Sequence, residues 1–141
     1  MTILTLRNIV NIDVLQEIQD RFSEATGLGV IISDEQGVPV TTPSNFTNFC
    51  THIRSSKQGN ECCKLSDKRV GLKAADQAKP SIHHCHSGLI DIAAPIVLNG
   101  MHLGSVLCGQ VVLEGHDEMQ EERIRKKLKH LPIDQELLQL Y

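Results

Sequence analysis

The sequence predicts an α+β domain built on an antiparallel sheet of about five strands with flanking helices. Three observations carry the prediction. Helical and strand-like segments are segregated along the chain, in the order helix, hairpin, helices, three strands, helix. Two apolar runs in the second half meet at Asn99-Gly100, the strongest short-range hairpin signal available. The chain has 141 residues, enough for one domain with a real core and no covalent staple.

Each element follows from its residues. Val14, Leu15, Ile18 and Phe22 recur at helical spacing, with Asn11 or Asp13 to cap the start and Gly27 to end it, and this predicts an amphipathic helix. Leu28 to Ser33 is β-rich, Asp34-Glu35-Gln36-Gly37 supplies turn chemistry, and Val38 to Thr41 completes an expected hairpin. From Asn45 to Lys79 the pattern is helical, broken at 55–59 and stopped by Pro80, with Cys62 and Cys63 expected near a first turn, where a helix N-terminus favours thiolate. Ser81 to Cys85, Leu89 to Leu98 and Met101 to Leu113 read as strands, with a bulge or edge position at Pro95. Asp117 to Lys129 and Asp134 to Leu140 read as helix, broken at Pro132. The whole is one domain, 1–141, with a core over about 11–115 and a helical tail over 117–141. Met119, Leu128 and Leu131 in that tail are expected to pack a helix or a dimer surface.

Composition excludes several classes. A formal charge of −3 argues against a nucleic-acid surface, and the basic run from Arg123 to Lys129 follows the acids Glu118, Glu121 and Glu122 and reads as a solvated helix face. Aromatic content of 3 % leaves almost no stacking platform for bases or sugars. The apolar runs are too short to span a membrane. Five cysteines, an odd number, and no leader pattern predict a reducing, cytoplasmic setting.

The chemistry concentrates in Ile82-His83-His84-Cys85-His86-Ser87-Gly88-Leu89-Ile90-Asp91, where thiol and imidazole donors adjoin an apolar strand. Cys50 and the pair Cys62-Cys63 lie upstream. Cys50, Cys63 and Cys85 with His86, or with Cys62 as the fourth donor, would suit tetrahedral zinc or an iron-sulfur cluster. Free cysteine also behaves as a small buried hydrophobe, which would account for the same residues without a site. His84 and His86 share a strand face opposite Cys85 unless the chain turns at Gly88, which would let His86 swing toward Cys85. His52, His102, His116 and His130 are expected at the surface and Cys108 in the core. Gly104 and Gly109 within one strand point to a close backbone approach, and Gln110 beside them could orient a hydroxyl or carbonyl.

The expected architecture resembles PAS and GAF sensory domains. Phe49-Cys50, Gly59 leading to Cys63-Lys64-Leu65-Ser66-Asp67, Cys85-His86-Ser87-Gly88-Leu89, Ala94-Pro95-Ile96-Val97 with Gly100, and Leu103-Gly104 running to Gly109-Gln110 together resemble the PocR sensory domain. The resemblance covers about residues 11–115, and its motifs are specific as a set. It implies a PAS-like module that binds a small hydrocarbon derivative such as a short diol, beside a DNA-binding or histidine-kinase output domain that this chain does not show. Cys62 looks additional to the pattern, and no role carries over to Cys108.

Three functions follow as expectations. The first is a non-enzymatic sensor whose pocket, between the sheet and the 45–78 helices, takes a small neutral ligand with polar contacts from Cys85, His86 and Gln110. Such a sensor would pair as a homodimer through its terminal helices, bind no nucleic acid directly and pass its signal outward through those helices. The second is a thiol-dependent reductase on a GAF-like fold, disfavoured because vicinal Cys62-Cys63 cannot bridge without strain. The third is a metal or redox sensor in which the cysteines carry the signal.

Overall fold

The computed structural model describes residues 3–111 and 118–137. The short helix α1 (Leu6–Ile9) leads into α2 (Ile12–Thr26), whose start is capped by Asn11 accepting from the Asp13 amide at 2.9 Å and whose end is Gly27 at φ +75°. Strand β1 (Gly29–Asp34) follows, then a long connection to α3 (Asn48–Arg54) and α4 (Lys57–Gln77). Strands β2 (Ser81–His84), β3 (Ile90–Leu98) and β4 (Met101–Val111) complete the sheet, and α5 (Glu118–Leu128) closes the chain before a 3-10 turn at Gln135–Leu137. The expected strand residues 112–113, the surface position His116 and the helical residues 117 and 138–140 lie outside the described residues.

The sheet is antiparallel throughout, in the order β1-β4-β3-β2. The Asn99-Gly100 turn joins β3 to β4 at the centre as expected, with both residues at positive φ (+50° and +78°), the requirement of a tight I′ turn. Pro95 also falls as its chemistry demands. Strand β2 pairs with β3 only as far as Ala93, so Pro95 occupies a stretch whose far side needs no donor, next to the register shift at Ile96/Val97.

Among the described residues the sheet has four strands, because the expected partner of β1 does not become one. Residues 38–44 run beside β1 but meet it through isolated bridges at Ser33↔Pro39 and Val30↔Ser44. Pro39 and Pro43 have no N–H to donate to a ladder. The Ile32 amide donates to the Thr41 side-chain oxygen at 2.9 Å instead of to a strand carbonyl.

This irregular segment also turns α2 around. Sequence spacing puts Val14, Leu15, Ile18 and Phe22 on the core face; Leu15 does pack half-buried on the core, yet the other three are exposed, and the buried residues of the helix are Gln19 and Ser23. The polar side faces inward to satisfy the segment. Gln19 Nε2 donates to the Thr42 carbonyl and to Ser44 Oγ, both at 2.7 Å, and Thr41 Oγ1 donates to Gln19 Oε1. The Thr42 amide donates to Gln16 Oε1 at 2.8 Å, and Ser44 Oγ to Asp20 Oδ1 at 2.6 Å. The helix thus presents donors and acceptors to a segment that forms no regular ladder.

Helix α4 closes directly onto one face of the sheet. Ile31, Val70, Ala74, Ala93 and Leu107 form that layer, and Ala74 and Ala93 are wholly buried. A side chain at Gly71 would meet Ser105 Oγ at 2.5 Å. Small residues on both surfaces thus leave the middle of the sheet–helix interface filled, where a ligand pocket was expected. A second cluster, Leu6, Ile32, Val40 and Leu103, lies under α1. A third gathers Phe49 and Ile53 of α3, Cys63 of α4, Leu89, and Ile124, Leu128 and Leu131 from the tail.

Candidate functional site

The third cluster is where the chemistry-bearing residues meet. Thr47 caps α3 by accepting from the Cys50 amide at 3.2 Å, which sets Cys50 in the first turn against the cluster. Cys63 faces the same cluster from α4. That helix starts at Lys57, earlier than the sequence suggests, so Cys62 and Cys63 lie in its second turn and the N-terminal field has faded there. The expected thiolate therefore does not arise. Burial pushes the Cys63 thiol up to about 12, with Arg54 pulling the other way.

Strand β2 ends at His84, and residues 85–88 form a turn in which the Cys85 amide donates to the Leu89 carbonyl and the Gly88 amide to the Cys85 carbonyl, both at 2.9 Å. Gly88 sits at φ +93°, so the chain does turn where its position predicts. The turn carries His86 to Cys63 rather than to Cys85. His86 Nε2 lies 3.1 Å from Cys63 Sγ, and the His86 amide donates to Ser66 Oγ at 3.3 Å. Cys63 and Ser66, three residues apart on α4, grip one residue of the turn between them. Cys85 Sγ lies 2.8 Å from Ser87 Oγ.

Charged groups that the sequence reading did not single out complete the site. Arg54 Nη2 donates to Asp67 Oδ2 at 3.0 Å with both side chains largely buried, and the guanidinium stacks 5.3 Å from the Phe46 ring centroid. Burial pushes the Asp67 carboxyl up while Arg54 pulls it back. Asp91 on β3 accepts from the Gln110 amide at 3.2 Å, and burial together with Asp67 raises it to about 6. Cys50 is raised to about 12 chiefly by burial, with the hydrogen bond to Thr47 pulling the other way. Burial and Arg54 push His86 down to about 4. At neutral pH the thiols and the imidazole are uncharged, beside one buried ion pair.

Cys50, Cys63, Cys85 and His86 thus share one cluster, with Cys62 packed at its edge. Among the described residues, no group of three or more His, Cys, Asp or Glu side chains is arranged to hold a metal ion. Gln110 is at φ +64°, and its side-chain oxygen accepts from the Thr47 amide at 2.8 Å, tying the end of β4 to the cap of α3. Gly104 and Gly109 mark close approaches: a side chain at either would meet a neighbouring strand carbonyl, Ser33 O at 2.3 Å and Ile90 O at 2.5 Å. Cys108, expected in the core, is half-buried on the opposite face of the sheet.

The family model described as the sensory domain found in PocR matches residues 8–141. The chain belongs to the PocR sensory-domain family. It is 37 % identical over 110 residues to the regulatory protein PocR of Salmonella typhimurium strain LT2, an alignment that takes in 78 % of this chain and 36 % of that relative. The chain therefore spans about a third of the length of the curated relative it matches. No solved structure matches it. Among the described residues, no helix is long and apolar enough to cross a membrane.

Of the charged residues missed from sequence, Asp67 carried a signal within the family phrase that begins at Cys63. Asp91 carried another, as a lone acid between Leu89-Ile90 and Ile92-Ala93-Ala94. Arg54 carried none, since an arginine at a helix end reads as solvated.

Proposed function

We propose that this domain is the ligand-sensing module of a regulatory protein and that it takes a small neutral organic molecule, a short diol or similar hydrocarbon derivative, at the Cys50, Cys63, Cys85 and His86 cluster. The observation that carries the reading is a polar set kept uncharged inside an apolar wall. Neutral donors and acceptors in an apolar wall suit hydroxyl or carbonyl groups, and the buried Arg54 is already paired with Asp67, while Arg69 and Lys127 act on His86 only as neighbouring charges. Asp91, near its midpoint at slightly acid pH, adds a carboxyl that can donate or accept. Gln110 fixes Asp91 in place. Each neutral hydrogen bond contributes about 1 kcal/mol, so affinity is modest.

A groove of about 250 Å³ between the 85–88 turn and α5, lined by His84, Gly88, Gln120 and Arg123, shares Ile124 with the cluster wall and is the proposed route of entry. The same geometry gives the signal its exit. Ile124, Leu128 and Leu131 close the cluster from the tail, so a ligand with different affinity for two tail positions shifts their populations. Output would be supplied by the remainder of a longer, cytoplasmic regulatory protein. Neutral buried thiols are poor nucleophiles, which weighs against the reductase reading.

The test is thermal unfolding of the reduced chain with short diols, alcohols and aldehydes. A ligand at a hundred times its Kd stabilises by about 2.7 kcal/mol. That gain should vanish in Cys63→Ser and His86→Gln and persist in Cys108→Ser. No stabilisation by any compound of this class, together with turnover of a peroxide or sulfoxide, would sink the reading.

The soft donor set supports a second reading, in which Cys50, Cys63, Cys85 and His86 move together to hold zinc or an iron-sulfur cluster. Elemental analysis and visible absorption of anaerobically purified protein test it: stoichiometric metal lost in Cys63→Ser supports it, and metal-free protein with a full ligand response rejects it.

A further inference from the structure

The groove between the 85–88 turn and α5 has a rim of one sign. Arg123 and Lys127 lie four residues apart on α5 and line the groove together with Gln120 of the same helix. Like charges at that spacing repel each other on a helix surface. The rest of α5 avoids the conflict: Arg125 pairs with Glu121 at 3.0 Å, and Lys126 follows Glu122 by four residues. No acid stands three or four positions from Arg123 or from Lys127 in the sequence. The arrangement opposes the helix unless something negative lies between the two side chains.

The facing wall brings further bases. His84 and Gly88 line it, and among the described residues no side chain lining the groove is acidic. A side-chain carbon at Gly88 would lie 3.6 Å from Lys127 Cδ, so the lysine stem runs over the bare turn and carries its ammonium to the rim. Arg69 of α4 acts on the rings of both His83 and His86. The groups whose charges act on His86 are Arg54, His130, Arg69 and Lys127, all of them bases, and Arg54 is committed to Asp67.

We infer that this groove is a second binding site, one that takes the phosphoryl group of a small organic phosphate between Arg123 and Lys127, with Gln120 and His84 at its sides. Arginine offers a planar fork to phosphate oxygens and lysine a point charge, and a dianion answers both cations where a carboxylate answers one. About 250 Å³ holds a phosphate with a short carbon chain. The bound anion would tie α5 to the 85–88 turn. Through Ile124, which the groove shares with the thiol cluster, it would act on the same tail as the neutral ligand. That coupling rests on the sensory reading, whereas binding of the phosphate does not.

Calorimetry of the full reduced chain with methyl phosphate at about pH 7.5, where a monoester is close to a dianion, and at constant ionic strength provides the test. Saturable binding below about 10 mM is expected, at least about tenfold tighter than that of acetate. Arg123→Gln and Lys127→Gln should each weaken it about tenfold, the loss of one charge-assisted hydrogen bond. Lys126→Gln removes the same charge from the same helix but outside the groove, and should leave the affinity unchanged. All three positions are exposed, and circular dichroism of each variant reads the fold. No saturation, equal affinity for acetate, or an equal loss in Lys126→Gln overturns the inference. With no diol in the cell, its failure is distinct from failure of the sensory reading.

Discussion

Asp67→Asn isolates the most consequential charge in the site. The substitution keeps the shape and a hydrogen-bond acceptor for Arg54 but removes the counter-charge from a guanidinium whose side chain is 16 % exposed. Breaking one partner of a buried pair costs about 3–5 kcal/mol, a large part of the roughly 5–15 kcal/mol a domain of this size has. Asp91 moves the expectation to the low end, near about 3 kcal/mol, because losing the Asp67 charge lets its own carboxyl ionise in the field of Arg54. Urea unfolding at low temperature in reducing buffer reads the loss as a fall in midpoint at constant m. The paired replacement Arg54→Met with Asp67→Leu should recover most of it, since apolar residues of similar volume replace a buried ion pair at little net cost. A single-variant loss under about 1 kcal/mol, as for a surface pair, or a double variant no better than the single, would refute a buried ion pair at this position.

Acid titration separates two groups of opposite sign. His86 is neutral in the fold down to about pH 4 while the unfolded chain protonates it near its ordinary value of 6.5, so it withdraws stability as pH falls between those values. Asp91 holds its proton in the fold up to about 6 against 3.8 unfolded, so it adds stability as pH falls through nearly the same window. Each shift corresponds to at most about 3 kcal/mol, less at His86 for its contact with water, and the wild type should be nearly flat between pH 6 and 4 from this pair. Asp91→Asn should expose a decline on acidification and His86→Gln a rise; parallel profiles in urea titrations of the two variants would contradict the assignment. Gly59→Ala should destabilise despite alanine's better helix propensity, because its Cβ would lie 2.0 Å from the Ile53 carbonyl oxygen. Overpacking against backbone costs roughly 1–3 kcal/mol, a drop of several degrees in Tm; a raised Tm would show that α3 and α4 can part.

The central hairpin was legible because Asn99-Gly100 supplies the one backbone geometry that turns two apolar runs on each other, a local signal needing no tertiary context. The convergence of Cys50, Cys63, Cys85 and His86 was legible only as a set of phrases. Their meeting depends on α3, α4 and a turn far apart in sequence, and nothing local told whether His86 would reach Cys85 or Cys63. The orientation of α2 and the absent fifth strand share one cause that periodicity cannot express. Hydrophobic spacing counts apolar residues, whereas Gln16, Gln19 and Asp20 are placed by the Thr42 backbone and the hydroxyls of Thr41 and Ser44. Val14, Ile18 and Phe22 still form a stripe, but one left exposed.

The junction of α3 and α4 is clamped twice, by the close packing of Gly59 on the Ile53 carbonyl and by the bond from Arg54 to Asp67. The two helices therefore form a stiff elbow, and the thiols of Cys50 and Cys63 ride on it without sliding past each other. In the proposed sensory reading, a ligand beside them would displace what faces them, the 85–88 loop and the tail, sooner than the clamped helices. Occupancy would then be expressed as travel of the C-terminal end relative to a fixed frame, like a latch lifted from a rigid plate, with the sheet itself left undistorted.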